Sequence, residues 1–200
     1  MNTPIHAVLN LTLLNSKNDA SKVLCFQAVL LGALLPDLPM FYFFVVESLI
    51  NGEPPSAVWG QLYFQPGWQN LFDTFNSIPF VLLGLGVAYY YCATFWLYLF
   101  LSMLLHILCD LPLHHDDGHH HFFPFSSWRF DSPVSYWDPR YYGRIFRVIE
   151  MIIAIGGSVI LYRRASAKLM KSTFVAVAAI YSLVAVAWLI SGRTMYSVIF

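Results

Sequence analysis

Histidine and aspartate are concentrated in one short stretch of this chain. Six of the seven histidines lie between His106 and His121, and five of them fall within residues 114–121. Imidazole and carboxylate groups are common protein ligands of zinc, manganese and iron. His106 and Asp110 are four residues apart, which places both side chains on one face of a helix. The pattern predicts a site for one or two divalent ions, with zinc as the first choice and manganese or iron as alternatives.

Other polar residues at the ends of apolar segments extend this prediction. The further predicted metal ligands are His6, Asp37, His114, His115, Asp117, His119 and His121. Asp73 and Arg129 are predicted to be catalytic, with the Arg129 guanidinium binding an anionic group. Two metal ions can clamp a phosphate or an ester and activate a water.

Each residue also has a structural interpretation. His106 and Asp110 would form a buried hydrogen bond with each other, and residues 114–121 would be a solvated loop that binds metal without catalysis. Asp37 and Asp73 would cap the helices that follow them. Arg129 would extend its side chain towards lipid headgroups. The choice depends on whether the side chains converge.

The elements that must hold these residues are apolar helices. Hydrophobic residues make up 58% of the chain and charged residues 11%, whereas soluble domains carry about 25% charged residues. Apolar runs of about 17–25 residues are typical of membrane-spanning helices. The composition therefore predicts an all-α, multi-pass transmembrane bundle of about four to five spans. Residues 1–200 form one integral membrane domain, with a short N-terminal half-helix at residues 4–15.

Proline, glycine and polar residues divide the chain further. Pro36 and Pro39 should end the first span near Leu35 and let a second helix restart after Asp37. Residues 51–70 are rich in glycine and proline and are predicted to be an exposed loop. Residues 114–142 are predicted to be a long His-rich and aromatic extramembrane loop. The remaining predicted helical segments are residues 77–93, 94–113, 145–162 and 173–191.

Basic residues give a prediction for orientation. The connector between the last two helices carries Arg163, Arg164, Lys168 and Lys171, and basic loops favour the cytoplasmic side. The metal site would then lie on the extracytoplasmic face. Lys17 and Lys22 agree with this orientation. The basic residues that oppose it are Arg140, Arg144 and Arg147.

Several function classes have no support in the sequence. The 11 basic and 11 acidic residues cancel, so no basic surface indicates a nucleic-acid partner. The motifs of serine hydrolases, P-loop NTPases and dinucleotide enzymes are missing. Membrane di-iron desaturases draw on three separated histidine clusters, and this chain has one dense cluster and His6.

In its first part the chain resembles a bacterial family of small inner-membrane proteins described as membrane-bound metal-dependent hydrolases. The matching pieces are His6, Leu35-Pro36-Asp37, Asp73-Thr74-Phe75-Asn76-Ser77 and the run from Ser102 through His106 to Asp110, and they cover about residues 1–125. Asn76 stands where that family has histidine. The His-xxx-Asp element also resembles one in zinc-dependent phospholipases C.

The resemblance implies a bacterial inner-membrane protein and a phosphoester or lipid-like substrate. Together with the predicted ligands, it favours a membrane-embedded metal-dependent hydrolase that acts on a phosphoester or other ester at the membrane surface. The partners would be the bilayer and a phospholipid or other anionic lipid. The alternative is a non-catalytic metal-binding protein or an assembly factor for a membrane complex, which needs no catalytic water.

Overall fold

Regular structure in this protein is helical. The computed structural model describes residues 1–14 and 22–191, so Lys17 lies outside the described residues. The main helices are α1 (Thr3–Leu14), α2 (Lys22–Leu34), α3 (Leu38–Phe44), α4 (Pro55–Ala57), α5 (Pro66–Phe75), α6 (Ile78–Tyr90), α7 (Thr94–Asp110), α8 (Gly143–Arg164) and α9 (Lys168–Ser191). Short π-helical segments at Val45–Ile50 and Val58–Leu62 extend α3 and α4, and 3₁₀ turns lie at Leu111–Leu113 and Pro139–Tyr141.

Four of the described helical stretches are long and apolar enough to cross a bilayer. They are Pro66–Tyr90, Thr94–Leu113, Gly143–Arg164 and Lys168–Ile190. A bent pair, Cys25–Leu34 and Leu38–Ile50, meets at 49° and raises the number to five if it forms one broken span. Helix α1 is apolar but shorter. These lengths confirm the predicted all-α, multi-pass membrane fold with a short N-terminal helix.

The centre of the bundle is the packing of α2 against α7. A Cβ added at Gly32 would lie 2.2 Å from the Leu99 carbonyl oxygen, so only glycine allows the two backbones this approach. Ser102 on α7 donates to the Val29 carbonyl oxygen at 2.6 Å. Asn10 on α1 donates to the Ser102 hydroxyl at 2.8 Å. These contacts fix the first helix and the α2–α7 pair in register.

Contacts between α1 and α8 show which ends of the helices meet. The Asn2 backbone N–H, just before α1, donates at 2.8 Å to Glu150 in the first half of α8. Arg164, at the end of α8, donates to the Thr12 carbonyl oxygen near the end of α1. The two helices therefore run parallel. His6 lies towards one end of the bundle, and the basic connector that begins at Arg163 lies at the other.

Residues 51–70 differ from the predicted exposed loop, because much of this segment is helical. Pro55 and Pro66 stand in the first turns of α4 and α5, where the missing proline N–H costs nothing. The segment is anchored by aromatic side chains, since Phe43 and Phe72 are fully buried against Tyr63 and their neighbours. Glycine and proline correctly predicted the breaks between helices, but the burial of aromatic side chains stabilises short helices between these breaks.

Residues 114–142 contain no α-helix and fold back over the end of the bundle. The Ile78 N–H donates to the His121 carbonyl oxygen at 2.8 Å, and the Tyr136 N–H donates to Leu113 at 2.9 Å. The first contact ties the loop to the start of α6, and the second ties it to the end of α7. The histidine run is therefore held against the ends of the helices.

Candidate metal centre

Three side chains from two helices converge at one end of the bundle. One nitrogen of His6, one nitrogen of His106 and a carboxylate oxygen of Asp110 all lie within 4.8 Å of one another. Ligand atoms around a tetrahedral zinc ion are about 3.5 Å apart, given zinc–ligand distances of about 2.0–2.2 Å. Asp37 adjoins the group, with Oδ1 3.4 Å from His106 Nε2. We call these four residues the helix-held centre.

The orientation of His106 is set by the backbone of α2. Its Nδ1 lies 2.8 Å from the Ala33 carbonyl oxygen. A carbonyl oxygen only accepts hydrogen bonds, so Nδ1 carries a proton and the neutral ring presents a lone pair at Nε2. That nitrogen is buried and has no hydrogen-bond partner. In metal sites, a histidine ligand typically donates one ring N–H to a backbone carbonyl or carboxylate and binds the ion through the other nitrogen.

The imidazole ring of His6 stacks on that of His106. The ring centroids are 3.6 Å apart and the planes differ by 11°. His6 Nε2 lies 2.9 Å from Asp110 Oδ1, while its Nδ1 is buried without a hydrogen-bond partner. Two nearly parallel rings cannot both point at one ion, so the rings would have to tilt towards each other to share it.

Several nitrogen atoms surround the carboxylate of Asp110. Its Oδ1 contacts His6 and the Met1 amino group, and its Oδ2 lies 3.3 Å from His106 Nε2. His114 Nε2 lies 3.6 Å from the same Oδ2. His106 Nε2 and Asp110 Oδ2 are close enough for an ion pair but do not meet in hydrogen-bond geometry.

Asp37 occupies the break between α2 and α3, as predicted. Its carboxylate makes no capping hydrogen bond to the backbone of α3. Instead, Oδ2 accepts a hydrogen bond from the Thr3 hydroxyl at 2.5 Å, and Oδ1 faces His106. The capping interpretation of Asp37 is therefore wrong, and its side chain belongs to the helix-held centre.

A second group, the loop cluster, consists of His114, Asp117, His119 and His121. All three histidines are buried. The centroid of the His119 ring lies 5.9 Å from that of His114 and 6.1 Å from that of His121. His114 Nδ1 lies 3.0 Å from Asp117 Oδ1. The cluster touches the helix-held centre through the approach of His114 to Asp110.

The surroundings set opposite charge states within the loop cluster. Burial disfavours a charged His114, but the nearby carboxylates of Asp110 and Asp117 outweigh it and raise the pKa of His114 to about 9. Burial, assisted by the positive charge of His114, lowers the pKa of His119 to about 3. Burial acts against a charged Asp117 as well, yet His114 lowers the pKa of Asp117 to about 2. His119 is therefore a neutral imidazole at neutral pH, which is the form that binds metals.

The predicted site residue His115 lies outside these groups, whereas Asp73 approaches the loop cluster, with its Oδ1 3.8 Å from His119 Nδ1. His115 Nδ1 donates to the Ser132 carbonyl oxygen at 2.6 Å, and its ring stacks on Tyr141 at 3.6 Å. Asp73 accepts hydrogen bonds from the backbone N–H and Nδ1 of His120, at 2.9 and 2.6 Å. It is not a helix cap, since Ser77 caps α6.

Arg129 lies at the surface. Its Nε is 3.5 Å from Asp131 Oδ1, and the Asp131 side chain is 73% exposed. This contact gives no support to the predicted catalytic role. Asn76 is buried and donates through its amide to the carbonyl oxygens of Pro36 and Phe72. Its amide therefore joins the helix break to α5 instead of facing the histidines.

Sequence reasoning missed the residues that support the centre. Glu150 is buried in α8 and accepts two hydrogen bonds from Asn2, which positions the chain just before His6. A charged residue inside an apolar span is a signal that could have found it. Trp137 and Tyr63, which hold Asp117, carry no comparable signal.

No protein-family model, no curated protein and no solved structure matches this chain. The chemistry of the site therefore rests on the side chains themselves. Buried ring nitrogens without hydrogen-bond partners, beside carboxylates, form a donor set that fits a divalent ion of the zinc, manganese or iron class.

Proposed function

We propose that this protein is a membrane-embedded metal-dependent hydrolase acting on a phosphoester or other ester of a lipid-like molecule. One observation carries the proposal: His6, His106 and Asp110 place ligand atoms within 4.8 Å of one another, and His106 Nε2 is buried there without a hydrogen-bond partner. Leaving such an atom unsatisfied costs about 1–3 kcal/mol, and metal coordination would remove that cost.

The residues divide into those that hold the ion and one that handles a proton. His6, His106 and Asp110 would hold it, with the Ala33 carbonyl oxygen fixing the ring of His106. A bound divalent ion supplies polarisation of the ester or phosphoryl oxygen and acidifies a water. Asp37 lies outside the three-atom group. Its Oδ2 is held by Thr3, so Oδ1 is the atom placed to accept a proton from the attacking water.

An apolar cavity beside Asp37 supports a lipid-like substrate. The cavity measures about 240 Å³, slightly below the usual range for ligand pockets of about 300–1,000 Å³. Its lining residues are Met1, Asn2, Thr3, Asp37, Met40, Phe41, Phe44, Trp59 and Tyr136. Aromatic and aliphatic side chains would hold a hydrocarbon portion, while Asp37 and Thr3 meet the polar group.

A non-catalytic metal-binding protein is the second candidate. The observation that favours it is burial, because His6 and His106 are 0% exposed. A fully enclosed ion stabilises a fold without meeting a substrate. The two candidate functions differ in the role of Asp37, because a protein that only holds a structural ion needs no general base there.

The test combines metal analysis with turnover on two chromogenic probes, bis(p-nitrophenyl) phosphate and p-nitrophenyl decanoate. The full chain in detergent is expected to contain stoichiometric zinc, manganese or iron and to hydrolyse one probe. His106→Ala should lose both metal and turnover. Asp37→Asn should keep the metal and lose about 100-fold or more in turnover, the usual effect of a general base.

His115→Ala is the matched control, because His115 lies in the same histidine run but faces Ser132. Metal without turnover would favour the non-catalytic candidate. A metal-free protein, or equal turnover in all variants, would overturn the proposal.

The proposed location is the bacterial inner membrane with the centre on the extracytoplasmic face. The position of the basic connector at the opposite end of the bundle from His6 supports this orientation. Asp116 is exposed in the loop. A cysteine at position 116, introduced as Asp116→Cys into a chain lacking Cys25, Cys92 and Cys109, should react with an impermeant maleimide from the extracytoplasmic side. Labelling only after the membrane is opened would reverse the orientation.

A further inference from the structure

The loop cluster contains polar atoms that are buried and left without hydrogen bonds. They are His114 Nδ1, Asp117 Oδ1 and His119 Nδ1, and the last of these lies 3.8 Å from Asp73 Oδ1, beyond hydrogen-bond distance. His114 Nδ1 and Asp117 Oδ1 are 3.0 Å apart, yet they do not meet in hydrogen-bond geometry. Buried polar atoms normally find partners. Three such atoms in one cluster indicate a bound ligand that would take the place of the missing hydrogen-bond partners.

The other atoms of these side chains are held by neighbours. Asp117 Oδ2 accepts from Trp137 Nε1 at 2.9 Å, and its backbone carbonyl accepts from the Tyr63 hydroxyl at 3.1 Å. His121 Nδ1 donates to the Asn76 carbonyl oxygen at 3.2 Å, so the neutral ring presents its lone pair at Nε2. These contacts fix Asp117 and His121 and leave Oδ1 and Nε2 available.

We propose that the loop cluster binds a second divalent ion of the zinc class through His114, His119, His121 and Asp117. Three imidazoles and one carboxylate suit zinc, iron or manganese, whereas calcium and magnesium take oxygen ligands. The rings of His114 and His121 lie 5.9 and 6.1 Å from that of His119. Among the described residues, ligand atoms within 4.8 Å of one another occur at His6, His106 and Asp110 and not in the loop cluster, so the side chains of the loop cluster would have to move closer together to share an ion.

This second ion extends the proposed function through Asp110. His114 would bind the ion through Nδ1, while its Nε2 faces Asp110 Oδ2 at 3.6 Å. A carboxylate that orients the far nitrogen of a histidine ligand is a common arrangement in metal sites. Asp110 would therefore be a ligand in the helix-held centre and a positioning residue for the loop cluster. The residues that would hold the two ions meet at Asp110, and a pair of ions would supply charge stabilisation to a phosphoester.

Two histidines of the same run serve as internal controls. His115 uses Nδ1 for the Ser132 carbonyl oxygen and stacks on Tyr141. His120 is paired with Asp73. If the run only collected metal as a flexible polar loop, His115 and His119 would contribute equally. The structure gives them different surroundings, so their substitution should have different effects.

The experiment counts metal in the full chain in detergent, after stripping with a chelator and titration with zinc or cobalt. The wild type should bind two ions per chain in two steps. His119→Ala and His119→Gln should each bind one, with the tetrahedral cobalt absorption halved. His115→Ala should bind two. His106→Ala should also lose one ion, but from the other site, and the double variant His106→Ala/His119→Ala should bind none.

Binding of a single ion by the wild type, or equal losses in His115→Ala and His119→Ala, would overturn the second site. Circular dichroism of each variant shows whether a lost ion reflects a lost fold, and His119→Gln keeps a polar side chain of similar size for that reason. The count is independent of turnover. Two ions without hydrolysis would uphold the second site and remove the proposed function, and one ion with hydrolysis would do the reverse.

Discussion

The helix-held centre and the loop cluster offer similar chemical groups but are built in different ways. In the helix-held centre, helix geometry and the close packing of α2 on α7 place His106, Asp110 and the Ala33 carbonyl oxygen. In the loop cluster, individual hydrogen bonds from Trp137 and Tyr63 hold Asp117. Changes in helix packing should therefore disturb the first group, and loss of single hydrogen bonds should disturb the second. Asp110 is the point where the two depend on each other.

Asp110→Asn should have the strongest effect of the substitutions, because Asp110 contacts residues of both groups. The substitution keeps the shape and removes the charge that faces His6, His106 and His114. We expect affinity for the first ion to fall by more than about 100-fold, since changes to residues that only support ligands already cost about 10–100-fold. The second ion should weaken as well, because His114 loses its orienting carboxylate. Isothermal titration with zinc measures both steps.

Asp131→Asn is the control for Asp110→Asn, since Asp131 is an exposed acid beside Arg129. It should leave both steps unchanged. If Asp110→Asn weakened only one step, the sharing of Asp110 between the two groups would be wrong.

A change in the packing of α2 on α7 should affect the helix-held centre before the loop cluster. Gly32→Ala places a methyl group 2.2 Å from the Leu99 carbonyl oxygen, so α2 and α7 must separate. Overpacking of this kind destabilises a protein by about 1–3 kcal/mol. We expect a loss of about 3 kcal/mol here, because the added methyl group meets rigid backbone. The Ala33 carbonyl oxygen would move away from His106, so the first ion should also bind more weakly. Thermal unfolding in detergent and metal titration give the two readouts.

Gly86→Ala is the matched control within a helix of the same bundle. An added Cβ at Gly86 meets nothing within 4 Å, and alanine favours helix over glycine by about 1 kcal/mol. It should be neutral or stabilising. Equal destabilisation by both substitutions would mean that the α2–α7 approach is not what orders the helix-held centre.

The same difference explains how much of the site the sequence could predict. His106 and Asp110 were predictable because a spacing of four has one meaning on a helix. His6 and Asp37 were predictable as polar residues at the ends of apolar segments, and both lie with His106. In the loop no periodicity relates position to direction. His115 and His119 are equivalent in the sequence, and tertiary contacts alone turn one towards Ser132 and the other into the cluster.

The fold shows a similar limit. The apolar runs predicted α6, α7, α8 and α9 because length and composition suffice for a spanning helix. The short helices within residues 51–70 were not predicted. They depend on the packing of Tyr63 and Phe72 around Phe43, and aromatic residues spread across three short elements leave no regular spacing in the sequence.

The smallest effect should come from Trp137→Phe, which acts on the loop cluster alone. The substitution keeps an aromatic ring and removes the Nε1 donor that lies 2.9 Å from Asp117 Oδ2. Asp117 would then rotate more freely, and the second ion should bind about tenfold more weakly, at the low end of the effect of supporting residues. The first ion should bind unchanged, because the Trp137 indole donates to Asp117 and not to a residue of the helix-held centre. Trp128→Phe is the control, since Trp128 is exposed beside Phe122 and Phe130. The indole of Trp137 donates to Asp117 of the loop cluster. A loss of affinity confined to the first ion would therefore contradict the division into a packing-dependent group and a hydrogen-bond-dependent group.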